Sequence, residues 1–202
     1  MGIDSKFNKT TPEELLGPLN EVELKNAPSS LYVTGDTGLC RDTSRVSIIG
    51  TREVSPAGLK RTQDLVRMLV ARGVVIVSGL ARGVDTGAHR TAIEAGGRTI
   101  AVIGTPLDQF YPKENADLQR AIMAKHLVIS QFPVGAPAER KNFAIRNRTM
   151  ALVSHATVIV EAGEGSGTLH HGWEALRLGR PLFLLESLVK RADLKWPGAM
   201  MD

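Results

Sequence analysis

The chain has 202 residues, of which 43% are hydrophobic and 23% are charged, and this composition is typical of one globular domain. It excludes a disordered, collagen-like or coiled-coil chain. The formal net charge is +4, and 16 of the 25 basic residues are arginines, concentrated between residues 41 and 150. Because a guanidinium matches phosphate oxygens, this charge favours a polyanionic or nucleotide-like ligand, and a merely basic surface stays open as the alternative.

Cysteine content and hydropathy predict the compartment. Cys40 is the only cysteine, which excludes an intrachain disulfide and a cysteine-based zinc finger. The first 15 residues are polar, and the longest apolar stretch, at 73–81, is far shorter than a spanning helix needs. We expect a cytoplasmic protein with no membrane association.

The chain divides at about residue 27. Residues 1–27 predict a flexible or weakly helical N-terminal arm, since Thr11-Pro12 and Gly17-Pro18 interrupt it. Residues 28–202 predict one α/β domain. Short apolar runs there are typical of strands buried on both faces of a parallel sheet. They lie at 46–49, 74–77, 99–103, 127–129, 157–160 and 181–185.

Helical spacing alternates with these strands. Apolar residues recur at intervals of three and four around Leu65, Ala88, Ile122 and Trp173. The alternation predicts a doubly wound, mostly parallel α/β sheet with right-handed crossovers. In such a sheet ligands bind beyond the carboxyl ends of the strands.

Glycine-rich and arginine-bearing segments follow the predicted strands, which indicates one functional face. The candidate residues of these loops are Gly50, Thr51, Arg52 and Ser55, then Ser78, Gly79, Arg82 and Gly83, and finally Gly165, Ser166, Gly167 and Thr168. The last group opens a helix, whose N-terminus favours phosphate. The spacing is neither a P-loop nor G-x-G-x-x-G, because His170 stands where the third glycine would be. The alternative is a tight turn capped by Ser166 or Thr168.

The loop predicted after the strand at 127–129 contains the strongest electrostatic feature. Four cations occur within residues 140–148, and the candidate ligand residues are Lys141, Phe143, Arg146, Asn147 and Arg148. Cations that follow phosphates beside an aromatic ring suit a nucleic-acid single strand. We expect the guanidiniums of residues 52, 146 and 148 to gather at one rim. The alternative is a solvated helix start with Phe143 in the core.

Two further pairs of residues are candidates for catalysis or metal binding. Asp85 and His89 stand four apart on a predicted helix, and we expect a local hydrogen bond that fixes the preceding loop, with catalysis as the alternative. His170 and His171 are adjacent and point in different directions, so they predict no shared metal. We expect no metal and no cofactor.

These motifs, in this order, resemble the DprA/Smf family of DNA-processing proteins. The resemblance runs from about residue 27 to 184, and its motifs include Gly50-Thr51-Arg52, residues 78–85, Tyr111-Pro112, residues 146–148 and residues 166–169. It implies an extended Rossmann-like fold and non-catalytic binding of single-stranded DNA. It also implies a homodimer that protects incoming strands in natural transformation and recombination, and that helps to load a RecA-type recombinase. Arg52, residues 78–83, Phe143, Arg146 and Arg148 would then line the DNA pocket.

Two alternatives to DNA binding stay open on sequence. One is a sensor of a small nucleotide-derived ligand, which the same crevice would hold. The other is a nucleotide phosphoribohydrolase similar to the cytokinin-activating LOG proteins. Those enzymes carry a catalytic glutamate where this chain has His171, and imidazole replaces a carboxylate poorly at an oxocarbenium-like sugar.

Overall fold

The central element of the computed structural model, which describes residues 7–201, is an eight-stranded sheet. Its strands are β1 (Asn8–Thr10), β2 (Leu31–Gly35), β3 (Arg45–Ile49), β4 (Val75–Ser78), β5 (Thr99–Ile103), β6 (Leu127–Ser130), β7 (Ala156–Ile159) and β8 (Leu182–Leu184). Their order across the sheet is β1-β2-β6-β5-β4-β3-β7-β8. Strands β3 to β8 run parallel to one another. Strand β2 pairs antiparallel with both of its neighbours, β1 and β6. The predicted mostly parallel sheet is confirmed.

Helices cover both faces of this sheet. They are α1 (Pro12–Leu16), α2 (Glu21–Asn26), α3 (Pro56–Val70), α4 (Val84–Glu94), α5 (Ala116–Lys125), α6 (Arg140–Val153), α7 (Gly167–Arg177), α8 (Glu186–Val189) and α9 (Trp196–Met201). Short 3-10 helices occupy Thr37–Cys40 and Lys113–Asn115. Residues 140–148, expected in a loop, instead form the first turns of α6.

The two faces of β4 show how the core is built. Successive side chains of a strand point to opposite faces. Ile76 packs in one cluster with Val66 of α3 and Ala88 of α4. Val77 packs in a second cluster that includes Met150 of α6. Burial on both faces explains why this strand is apolar throughout, and the helices on either side make the sheet doubly wound.

The N-terminal region is more ordered than the sequence indicates. Strand β1 pairs with β2 at the edge of the sheet, and Leu15 of α1 is only 3% exposed in the core. Reciprocal capping boxes begin α1 and α2, with Glu14 and Glu23 closing them. Residues 1–6 of the predicted arm lie outside the described residues. The division at residue 27 stays a prediction.

The direction of chain winding reverses beside β3. From β3 the sheet grows through β4, β5 and β6 on one side and through β7 and β8 on the other. The carboxyl ends of β3 and β7 therefore flank the topological switch point, where doubly wound sheets hold their ligands.

Candidate functional site

Two adjoining cavities lie at this switch point, and we call them together the trough. Their volumes are about 440 Å³ and 270 Å³. Five residues line both cavities and so connect them: Arg52, Glu53, Ala81, Phe143 and Arg146. The larger lobe is also lined by Gly50, Thr51, Asn147, Ser166, Gly167 and Thr168, and the smaller by Gly79, Arg82, Gly104 and Tyr111. The trough thus joins the glycine-rich loops to α6.

One wall of the trough combines a cation with two aromatic rings. The exposed Arg52 guanidinium carbon lies 6.0 Å from the centre of the Phe143 ring. The Tyr111 ring is 5.2 Å from the Phe143 ring, tilted by 52°, and Tyr111 is 50% exposed. Gly104 lets Phe143 approach, because a Cβ at residue 104 would stand 2.7 Å from the ring. This wall offers a stacking surface beside a positive charge.

Arg146 forms the floor of the trough and is only 5% exposed. Its Nη1 donates to the carbonyl oxygens of Gly79, at 2.5 Å, and Val102, at 2.6 Å. Residue 79 must be glycine, since a Cβ there would lie 2.4 Å from the guanidinium. Burial lowers the pKa of Arg146, whereas the nearby Asp85 raises it. Arg146 therefore ties α6 to the ends of β4 and β5 while placing a positive charge at the floor of the trough.

Asp85 fixes the loop that follows β4. Its Oδ2 accepts hydrogen bonds from the backbone N–H of Gly79, at 3.2 Å, and of Ala81, at 3.3 Å. Burial raises the pKa of Asp85, and the Arg146 charge and these donors oppose that rise. His89 is bonded instead to Thr99 Oγ1, at 2.7 Å. The expected hydrogen bond between Asp85 and His89 is therefore wrong, because Asp85 fixes the loop through backbone donors and His89 bonds Thr99 instead.

The turn before α7 borders the larger lobe. Ser166 Oγ accepts from the Thr168 backbone N–H at 3.3 Å and so caps α7. Thr168 Oγ1 donates to the Gly50 carbonyl oxygen at 3.0 Å, which joins the turn to the end of β3. Ser166 therefore caps this tight turn, as the alternative interpretation of the sequence predicts. The same helix start still favours an anion in the lobe that it borders.

The structure does not bring Arg148 to the trough. Arg148 Nε lies 3.3 Å from Glu174 Oε2 on α7. Residues two apart on a helix are separated by about 200° around its axis, so Arg146 and Arg148 leave opposite sides of α6. The expected grouping of three guanidiniums is therefore correct for Arg52 and Arg146 only. Lys141 is also outside the trough, where its Nζ pairs with Glu139 at 2.8 Å.

Four more predicted residues are not in the lining of the trough. Ser55 caps α3, accepting from the Gly58 N–H at 2.9 Å. Ser78 is fully buried and donates to the Ile48 carbonyl oxygen at 2.7 Å. Gly83 (φ 72°) starts α4 where a Cβ would meet the Thr51 carbonyl oxygen at 2.3 Å. Gly165 turns the chain ahead of α7, with φ 67°.

Several residues that line the trough are missing from the predicted site, among them Tyr111, Gly104 and Glu53. Tyr111 carries part of the family resemblance, but no electrostatic signal marks it, because only the fold places it against Phe143. Glu53, next to Arg52, lines both lobes. The predicted Arg82 does line the smaller lobe, where it pairs with Glu114.

His171 occupies the position that decides the phosphoribohydrolase alternative. Its Nε2 lies 3.0 Å from Thr157 Oγ1, and burial lowers its pKa to about 3, so the ring is neutral. The nearest downstream carboxylate, Glu174, is engaged by Arg148 and Arg177.

Residues 7–201 contain no group of three side chains able to hold a metal ion. Within the same range, no helix combines the length and the apolar character needed to cross a bilayer.

Fold and site together define a Rossmann-like α/β protein with a basic, aromatic-walled ligand trough at its switch point. The family model for DNA recombination-mediator protein A matches residues 8–199, and the chain belongs to this family. The DprA/Smf resemblance is thereby confirmed.

Individual relatives agree with this assignment. The chain is 38% identical over 178 residues to protein Smf of Synechocystis sp., covering 87% of this chain and 45% of that protein. DNA processing protein A from Streptococcus pneumoniae superposes with a TM-score of 0.79 and 35% identity, over 92% of this chain and 66% of that one. The Helicobacter pylori protein, described for its single-stranded DNA binding mode, gives a TM-score of 0.78 and 30% identity over 94% and 90%. The chain spans about half the length of the curated relatives it matches.

Proposed function

We propose that this chain binds single-stranded DNA in the trough, without chemical turnover, and acts in DNA processing and recombination. The observation that carries the proposal is the wall on which the exposed Arg52 lies beside Phe143 and Tyr111. Aromatic rings stack with any base, and a guanidinium contacts the phosphate next to it.

The two lobes suit different parts of a strand. The smaller lobe contains the stacking surface of Tyr111 and Phe143, which fits a base. The larger lobe is bordered by the start of α7, which fits a phosphate. A base can stack on the wall of this trough only when it is unpaired, since the faces of the bases in a duplex are covered by their stacked neighbours. The proposed ligand is therefore a single strand.

The comparisons support the same ligand. One relative that superposes over nearly its whole length is described for a single-stranded DNA binding mode. The shared fold makes the carboxyl edge of the sheet the comparable surface in this chain. We extend the proposal to assistance in loading a RecA-type recombinase, to protection of incoming strands and to a cytoplasmic location, on family membership alone.

We infer that the chain forms a homodimer through the β8 side of the sheet. Phe183 on the edge strand β8 is 56% exposed, and Trp173 and Leu176 on the neighbouring α7 are also exposed. Large exposed apolar side chains grouped on one side favour an interface. Sedimentation of Phe183→Glu should give a monomer where the parent gives a dimer. A parent that is monomeric at high concentration would contradict this inference.

The binding proposal is tested by removing the exposed cation. Arg52→Ala should weaken binding of an oligothymidylate by about 1.5–3 kcal/mol, the range for a charged hydrogen bond. Arg61→Ala is the matched control, because Arg61 is an exposed arginine on α3 away from the trough. Fluorescence anisotropy measures both. Equal affinities of the Arg52 and Arg61 variants would contradict binding in the trough.

A further inference from the structure

Glu161 is an acidic residue at the end of β7, close to a trough that we propose binds a polyanion. By charge alone it would weaken binding. Its side chain does not line either lobe, so it does not face the ligand. Its contacts are instead with the chain segment that carries Arg52.

Both carboxylate oxygens of Glu161 are used by Ser55. Oε1 accepts from the Ser55 backbone N–H at 3.0 Å, and Oε2 accepts from Ser55 Oγ at 2.7 Å. The carboxylate also lies against the first turn of α3, since a Cβ on Gly58 would stand 2.0 Å from Oε2. This position lets the start of α3 stabilise the negative charge.

The backbone of Glu161 holds the other end of the same segment. Its carbonyl oxygen accepts from the Thr51 N–H at 2.6 Å. Residues 51 and 55 are therefore both anchored on one glutamate, and Arg52 lies between them. Within residues 7–201 the Arg52 guanidinium makes no hydrogen bond or ion pair and lies over the Phe143 ring at 6.0 Å. Its location is set by the backbone that Glu161 fixes.

We propose that Glu161 is the positioning residue for Arg52 and thereby raises affinity for single-stranded DNA despite its charge. The proposal rests on the proposed function of the trough. It predicts a sign opposite to electrostatics: truncation of this side chain, which removes its hydrogen bonds to Ser55, weakens binding, whereas loss of a comparable acidic charge that does not contact Ser55 leaves binding unchanged or strengthens it.

The test is a double-mutant cycle with Arg52, read by anisotropy of an oligothymidylate. Glu161→Ala should lower affinity by about 5- to 10-fold in the parent and by less than about twofold in Arg52→Ala, as expected of directly coupled residues. The slope of log affinity against log salt should also become shallower by about 0.7 in Glu161→Ala, the value for one lost phosphate contact.

Two further variants separate positioning from charge and from folding. Glu161→Gln removes the charge but keeps an oxygen that accepts from the Ser55 N–H. Because the segment that carries Arg52 stays anchored, this variant should bind within about twofold of the parent. Glu164→Gln removes the same charge from the same loop without touching Ser55 and should not weaken binding. Thermal unfolding establishes that each variant is folded at the assay temperature.

The outcomes distinguish this inference from the function on which it rests. Full binding by Arg52→Ala would overturn both. Weakened binding by Arg52→Ala, together with a Glu161→Ala effect that is equal in both backgrounds or opposite in sign, would overturn only the positioning role. Should Glu161→Ala fail to fold, a folded Glu161→Gln that binds more than about twofold more weakly than its reference by the same factor in the parent and in Arg52→Ala would also overturn it.

Discussion

The three arginines of the predicted cluster differ in what surrounds each guanidinium. Arg52 is exposed at the wall of the trough, Arg146 is buried in its floor, and Arg148 pairs with Glu174 outside it. The same residue type therefore has three roles: a free cation at residue 52, a hydrogen-bond donor to two strand ends at residue 146, and one partner of a partly exposed ion pair at residue 148. Only the first is fully available to a phosphate.

Arg146 should matter more for stability than Arg148. Arg146→Met leaves two buried carbonyl oxygens without a donor and leaves the buried Asp85 without its nearby cation, so we expect a loss of about 3–5 kcal/mol in the free energy of unfolding. Arg148→Ala removes a partly exposed pair and should cost about 1 kcal/mol or less. Urea unfolding of both variants measures the difference. Equal losses would show that Arg146 is not a structural donor.

Phe143 should contribute to binding through its ring. Phe143→Ala should weaken binding of single-stranded DNA by about 1–3 kcal/mol, the range for one stacked base. Phe143→Tyr keeps an aromatic face and is the matched control. Anisotropy titrations of the two variants decide the point. If Phe143→Ala binds as tightly as Phe143→Tyr, no base stacks at this position.

At the scale of elements, the parallel strands could be predicted because burial on both faces leaves an unbroken apolar run. All six predicted strands are present, with boundaries that differ by at most one residue. Strand β1 could not be predicted this way, since Asn8–Thr10 is short and polar and exists through pairing with β2. The capping boxes of α1 and α2 were readable signals that the interruption by proline and glycine obscured.

The candidate site was predictable to the level of the loops but not of the side chains. Glycine after a strand indicates close approach, which is why Gly50 and Gly79 could be selected. The sequence places residues 140–148 in the loop after the strand at 127–129, with a helix start as the alternative, so it does not separate Arg146 from Arg148 by the helical period. Once the segment is helical, the spacing alone excludes a shared rim.

The end of β5 lies close to α6, because Gly104 leaves room for the Phe143 ring, and this contact can be tested by substitution. Gly104→Ala places a Cβ 2.7 Å from the Phe143 ring, so the ring must move and binding should weaken by about 1 kcal/mol or more, part of a stacked base. Gly163→Ala is the control, because nothing lies within 4 Å of its Cβ. Anisotropy reports both. Unchanged affinity in Gly104→Ala would mean that the ring position does not matter.

At the scale of the whole molecule, two buried histidines predict how stability depends on pH. Burial lowers the pKa of both His89 and His171 to about 3, from 6.5. The unfolded chain therefore takes up more protons as pH falls below 6.5, and stability is fully present above that value and declines toward pH 3. Each histidine contributes a slope of about 1.4 kcal/mol per pH unit within this window.

Asp85 changes the free energy of unfolding in the opposite direction. Because burial raises its pKa in the folded chain, the folded state binds a proton more readily than the unfolded chain, and this contribution increases stability as pH falls. The histidine contribution should nevertheless appear between pH 6 and pH 5 as a decrease in the free energy of unfolding. Urea titrations at those two pH values measure it, with His170→Gln, an exposed histidine, as the control. Stability that does not change between pH 6 and pH 5 would contradict the buried, neutral rings.

The central claim is a basic trough that accepts an unpaired strand. Its most direct test is an anisotropy titration of an oligothymidylate, a duplex of equal length and a mononucleotide, repeated across a salt series. Of the three arginines that line the trough, Arg52 is free, Arg146 is buried against two carbonyl oxygens and Arg82 pairs with Glu114. At about −0.7 for each phosphate contact, the log–log slope for the single strand should therefore lie between about −0.7, for Arg52 alone, and about −2, for all three. The single strand should bind more tightly than the duplex. A flat salt response, or a mononucleotide that binds while the single strand does not, would contradict the account.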